Sequence, residues 1–364
     1  MHFVECDTVS GAEIYQLTDG PRPADNIYGE QPYSSPCGTR IAVRHYPHEG
    51  TDGGLSILDL VDGSLHPVLK KMPRFPAFHA WGEYLYFQEY VGEEMLLRRC
   101  HYVNTTTEDV LVLPATGSQL SYGTVSPDVE YYAVNSHPDS TSSRLLLFDL
   151  VDGVHSVLAE SNAQWFKHEQ FSRDGRDAIL IQANSADVSV VNLGVAYPGG
   201  GEIEWLPVDS RPLVPVGKWP GRDRYTPRCT GHEAWIGKTD RVFLSTAYDS
   251  SSMTNVWSVS LSDEQPAAAC VGEHVFGHVA TSGCGRFWIV DAPSEEGIPI
   301  YIGSFVSGSN STLCLSRTVH DGQQWSHTHP YFTADNRWVI FTSNRSGIPQ
   351  IFGARLADGF LSSL

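Results

Sequence analysis

No stretch of this 364-residue chain approaches the ~18 consecutive apolar residues of a membrane-spanning helix. The N-terminal Met-His-Phe-Val-Glu-Cys-Asp has no basic region followed by an apolar run, so no secretory signal is expected. The seven cysteines, Cys6, Cys37, Cys100, Cys229, Cys270, Cys284 and Cys314, are scattered and odd in number and contain no Cys-x-x-Cys. That argues against a disulfide framework and for a reducing compartment, and a cytoplasmic location is expected. Positive charge is scarce: 24 Lys and Arg stand against 42 Asp and Glu, a net charge of −18. Nucleic acid and anionic membranes are therefore poor partners, and an anion site must be made locally positive by a metal or a few arginines. Helical periodicity of useful length is missing. So are a Gly-x-Ser-x-Gly elbow and a phosphate-binding glycine loop.

What the chain does have is the material of strands and turns. Its apolar share of 41% and charged share of 18% suit an ordinary soluble core, and its 11% aromatic content leans towards strands. The 33 glycines and 22 prolines are spread throughout, as many short turns require. A turn carrying Gly, Asp or Asn followed by an apolar strand recurs seven times, beginning at Ser35, Trp81, Ser126, Ser172, Ile236, Ser282 and Thr333. A period of about 46 residues with one long insert suits four-stranded propeller blades. The insert, Ala196 to Pro227, is rich in Pro and Gly and reads as a loop over one face. The seventh unit runs out of chain after its third strand, and Ala12-Glu-Ile-Tyr-Gln-Leu-Thr could supply the missing outer strand, removing an open edge. An all-β, seven-bladed β-propeller closed by an N-terminal strand is expected, as a single domain over 1–364.

In such a blade the first strand precedes the repeated turn. Four residues before the turn starts stand Gln31, Tyr122, His168, His232, His278 and His329, with Ala77 (and His79 nearby) in the second unit. Four successive units thus carry histidine at one equivalent position. His327 and His329, one residue apart, would share a strand face, and Gln324 precedes them in Gln-Trp-Ser-His-Thr-His-Pro. With His278 they form four neutral ligands suited to Mn²⁺, Fe²⁺ or Ni²⁺, leaving positions open for water or a substrate oxygen. His232, in Cys-Thr-Gly-His-Glu-Ala-Trp, suits a general base titrating near neutrality. The alternatives are a further metal ligand or a structural partner of Glu233.

These segments resemble the oligogalacturonate lyases, pectin-degrading enzymes on a seven-bladed propeller. The likeness rests on Cys229-Thr-Gly-His-Glu-Ala-Trp, on His278 followed by Ser282-Gly-Cys-Gly-Arg, and on Gln324-Trp-Ser-His-Thr-His-Pro-Tyr-Phe-Thr-Ala-Asp with Phe341-Thr-Ser after it. Earlier units match in outline, including Trp165-Phe-Lys-His168. The resemblance implies that His278, Gln324, His327 and His329 hold a divalent metal, Mn²⁺-like in the family, and that His232 abstracts the proton. The family also uses an arginine upstream of that histidine. Asp187-Val-Ser-Val-Val-Asn stands there instead, and Arg222, Arg224 or Arg228 could substitute, Arg228 being nearest in sequence to His232.

The expected activity is β-elimination from short uronic-acid oligosaccharides, an acidic sugar being the partner, with His168 as the next base candidate after His232. The missing arginine leaves room for a glucuronate- or rhamnose-containing substrate. A non-catalytic binding propeller of the TolB type uses the same repeated turns. A metal hydrolase would want Asp or Glu ligands that the motif lacks.

Overall fold

A Ser or Thr hydroxyl can accept the backbone N–H groups that a tight turn leaves unpaired, and that device starts most of the repeats. Ser126 Oγ accepts from the N–H groups of Glu130 and Tyr131 at 3.1 and 3.0 Å. Ser35, Ser172, Ser282 and Thr333 accept likewise from Arg40, Ala178, Phe287 and Trp338. Three of these hydroxyls are turned by an aspartate two residues on, Asp128, Asp174 or Asp335. The chain then passes through a left-handed residue, such as Gly38, Val129, Gly285 or Asn336, and enters the next strand. The repeated turn, Ser126-Pro-Asp in blade 3, is thus a register-setting device.

The computed structural model describes residues 1–71, 76–114, 119–139, 141–185, 190–208, 229–249, 252–319 and 323–364. Seven antiparallel sheets follow one another along it. Blade 1 comprises Ala24–Asp25, Arg40–His45, Gly54–Asp59 and Leu65–Leu69. Blade 2 runs from Pro76–Ala77 to Thr107–Leu113, blade 3 from Gln119–Leu120 to His155–Ser161, and blade 4 from Gln164–Phe171 to Glu204–Trp205. Blade 5 runs from Cys229–Trp235 to Ala267–Ala268, and blade 6 from Val279–Thr281 to Asn310–Leu315. Blade 7 consists of Tyr331–Phe332, Trp338–Ser343 and Gln350–Arg355, and then turns to the other end of the chain. Glu13–Gln16 pairs with Gln350–Arg355, placing Ile14 opposite Ala354. The fold is the expected all-β, seven-bladed β-propeller with its last blade closed by an N-terminal strand. One element was not foreseen: His2–Cys6 pairs outside Glu13–Gln16 and makes this sheet five-stranded.

Two compact units divide the described residues. One holds Met1–Glu89, Leu96–Val110 and Phe276–Leu364; the other holds Tyr90–Met95 and Leu111–Val275. The core of the first is built from Ile41, Val43, Ile289, Ile302, Val339 and Phe341, with Ile14 of the closing strand and Leu17 just after it packed among them. The second centres on Leu147, Phe166, Ile181, Leu193, Trp235 and Leu244. Such continuous apolar runs are what strands buried on both faces require. Among the described residues, helical turns are confined to Gln324–Ser326 and Leu361–Ser363, and no helix is long and apolar enough to cross a membrane. Cys6, Cys37, Cys100, Cys270, Cys284 and Cys314 are free thiols.

Two predictions follow from this packing. Ile14 is 1% exposed, so Ile14→Ala should cost about 2–5 kcal/mol, read as a lowered urea midpoint. Burial pushes His45 and His79 down to about 4, against about 6.5 in the unfolded chain. Between those values the unfolded chain binds more protons, so stability is full above about pH 6.5 and falls as pH drops towards 4. Each histidine contributes about 1.4 kcal/mol per pH unit in that window. Urea midpoints should therefore fall between pH 7 and pH 5, and level midpoints would contradict this.

Candidate metal centre

The centre lies in the first unit, where blades 6 and 7 begin. The turn closed by Ser282 and Phe287 pairs Val279 with Val290, so the next step outward sets His278 against Asp291. The His278 N–H donates to Asp291 Oδ1 at 2.8 Å, and His278 Nδ1 lies 2.8 Å from Asp291 Oδ2. Thr328 Oγ1 also donates to Oδ2. Asp291 is 0% exposed. Burial alone would raise its carboxyl, but the adjoining His278 and the hydrogen bonds from His278 and Thr328 outweigh it and hold the group at about 2.

The second arm arrives through the turn Gln324–Ser326. Trp325 anchors that turn by packing edge-on against Tyr46, with ring centroids 4.9 Å apart. Tyr46 donates its hydroxyl to Asp25 Oδ2 at 2.8 Å. The same carboxylate takes the Arg44 fork at 2.9 and 2.6 Å, with Arg44 and Asp25 only 4% and 1% exposed. A buried, bidentate pair of this kind is rigid and is costly to break from one side. Arg44 is thereby committed to holding the turn in place.

His327 and His329 do not lie on a strand, as had been expected; they precede Tyr331–Phe332. Their convergence comes from the backbone of His329, which is left-handed with φ 42°. A non-glycine residue held there stores about 1–3 kcal/mol of strain. The neighbours keep it in place: Asn26 Nδ2 donates to the His329 carbonyl at 2.7 Å, and Thr342 Oγ1 donates to Asn26 Oδ1 at 2.9 Å. The Tyr28 ring stacks obliquely on His329 at 4.7 Å. Gly29 passes so near that a Cβ would stand 2.7 Å from the His329 carbonyl carbon.

The three imidazoles meet, with ring centroids of His278 at 4.3 Å from His329 and 5.2 Å from His327, and those of His327 and His329 5.4 Å apart. One ring nitrogen from each lies within 4.8 Å of the others. Metal–nitrogen bonds of about 2.0–2.1 Å span at most about 4.2 Å across an ion, so small side-chain rotations close the set on a cation. The donor set fits a borderline divalent metal. Gln324 begins the turn that leads into this cluster; its side chain lies outside the described residues, as does Arg228.

His168 and His232 belong to the second unit. His168 sits in a bulge of Gln164–Phe171, left-handed at φ 56°, with Nδ1 3.5 Å from Oε1 of fully buried Glu233. The alternative partner of His232 is thus found beside His168. His232 follows a second bulge and pairs with Ser245. There Gly231, at φ 80°, comes so close to Gln182 that a Cβ would meet the amide at 2.6 Å. Both bulges re-aim side chains within the first strand of their blade, a recurrent use of the device.

Asp291, Thr328, Asn26 and Gly29 were not singled out from sequence. Asp291 could have been found by counting outward from the Ser282 turn. Asn26 and Gly29 carry no such signal, because they reach His329 from the opposite end of the chain.

Neither protein-family models nor curated proteins give a match to this chain. Solved structures do. A manganese complex of oligogalacturonate lyase is similar over 99% of this chain and 97% of its own, with TM-score 0.76 and 18% identity. Oligogalacturonate lyase from Vibrio parahaemolyticus matches over 99% and 98%, with TM-score 0.72 and 15% identity. Dipeptidyl peptidase 4 from Porphyromonas gingivalis matches less well, at TM-score 0.54 and 9% identity, over 97% of this chain and 59% of that one. The likeness to oligogalacturonate lyases read from the motifs therefore holds at the level of the fold.

Gly29→Ala tests the support of the centre. Its φ is not left-handed, so the added methyl acts by displacing the His329 backbone alone. It should weaken divalent-metal binding at least tenfold by titration calorimetry, an effect of the size seen when groups supporting a metal ligand are disturbed.

Proposed function

We propose that this protein is a metal-dependent lyase that cleaves short uronic-acid oligosaccharides by β-elimination. The observation that carries the reading is the convergence of His278, His327 and His329 in a chain whose fold matches oligogalacturonate lyases from end to end. His278, His327 and His329, joined by Gln324, would hold the ion, Mn²⁺ being the favoured metal. Bound there, it would neutralise the uronate carboxylate and stabilise the charge that develops beside it.

The rest falls to the chain's own side chains. The C5 proton of a uronate is weakly acidic, and His232 is the proposed base that removes it. The C–H electron pair becomes the C4–C5 double bond. The glycosidic oxygen leaves C4 with its bonding pair and is protonated, giving a 4,5-unsaturated product. Arg228 is the proposed partner of the carboxylate or the leaving oxygen, where a planar fork is well suited. His168, with the Glu233 carboxylate beside it, is the second candidate for proton transfer. The alternative, a glucuronate- or rhamnose-containing uronate, draws on one specific feature: Asp187-Val-Ser-Val-Val-Asn stands where the family's arginine would be.

Incubation with digalacturonate and with glucuronate-containing oligosaccharides in the presence of Mn²⁺ tests the reading through the ultraviolet absorbance of the conjugated product. A rise with one of them is expected. Silence on every uronate, in a protein that purifies without stoichiometric metal, would instead favour a binding propeller. His232→Ala should lower turnover by about 10²–10⁴-fold with metal binding retained, whereas His327→Ala and His329→Ala should lose both.

A further inference from the structure

Asp291 is buried, charged and aimed at a ligand, yet the chemistry above does not use it. We infer that it is the positioning residue of the centre. It fixes His278 as the Nδ1–H tautomer, so that Nε2 presents its lone pair to the ion, and through Thr328 it locks the blade 6 ligand to the His-x-His arm of blade 7. The inference rests on the metal-binding reading above.

Three donors converge on the one carboxylate. The His278 backbone N–H takes Oδ1 at 2.8 Å, His278 Nδ1 takes Oδ2 at 2.8 Å, and the Thr328 hydroxyl takes Oδ2 as well. An ionised carboxylate only accepts, so in the neutral ring the nitrogen beside it carries the proton and the other offers its lone pair. Thr328 stands between His327 and His329, so its hydroxyl sets the height of both against His278. The backbone is shaped for this contact: a Cβ on Gly277 would stand 2.7 Å from Asp291 Oδ1. A carboxylate behind a metal-binding imidazole orients the ring and raises its basicity.

Asp291→Asn keeps the shape and cannot satisfy all three donors. An amide nitrogen placed at Oδ1 faces the His278 N–H. Placed at Oδ2 it faces Nδ1 and the Thr328 hydroxyl, driving the proton to the nitrogen meant for the ion.

Two measurements test the inference. In the metal-free wild type, ¹⁵N chemical shifts of the neutral His278 ring should show the Nδ1–H tautomer; the Nε2–H tautomer would overturn the inference without any variant. In Mn²⁺ titrations by calorimetry, Asp291→Asn should bind about 10–100-fold more weakly than wild type. Thr328→Val, which removes one donor at nearly constant volume, should bind about fivefold more weakly, a hydrogen bond's worth. Tight wild-type binding that Asp291→Asn leaves unchanged, with only a lower melting temperature, would make Asp291 merely structural and leave the metal reading standing. A wild type that binds no Mn²⁺ would remove the metal reading and this inference together.

Discussion

A hydroxyl oxygen that accepts backbone N–H groups four to six residues ahead is the constraint on which the rest of this structure depends. It closes the turn at Ser35, Ser126, Ser172, Ser282 and Thr333, and so fixes how the first strand pairs with the second in those five blades. Because side chains alternate along a strand, a slip of one residue would reverse every face. With the register fixed, the residue four places before the turn is delivered just ahead of the first strand in blades 6 and 7. In blades 6 and 7 that residue is His278 or His329.

Register alone does not make a ligand set. His329 must also leave the strand conformation, and its left-handed backbone is held by Asn26, Thr342, Tyr28 and Gly29. The turn carrying Gln324 is held by Trp325 against Tyr46 and the buried Arg44–Asp25 pair. Apart from Thr342, these supports come from the first blade and the segment after its first strand, which pack directly on blade 7. The N-terminal part of the chain therefore both closes the last sheet and, through Asn26, Tyr28 and Gly29, supports His329.

Much of this was legible in the sequence. The repeat at Ser126-Pro-Asp and its relatives disclosed the blades, and the missing outer strand of blade 7 pointed to Glu13–Gln16. The histidine phase picked out His278 and His329 by position alone. What stayed hidden has physical reasons. A left-handed histidine has no sequence signature, so His327 and His329 were placed on a strand that begins only at Tyr331. Asn26 and Gly29 act on His329 across some three hundred residues, and pattern reading along the chain does not see such contacts. The outermost strand, His2–Cys6, packs largely against solvent and so lacks the apolar alternation that would reveal it.

On the proposed lyase reading, a chain of net charge −18 needs a cation at its imidazole cluster before it can attract an acidic sugar. The direct test is anomalous diffraction at the manganese edge from crystals soaked in Mn²⁺. One peak within bonding distance of ring nitrogens of His278, His327 and His329 is the predicted result, and crystals of the His327→Ala variant should lack it. Density elsewhere, or no peak beside these imidazoles at saturating Mn²⁺, would contradict the account.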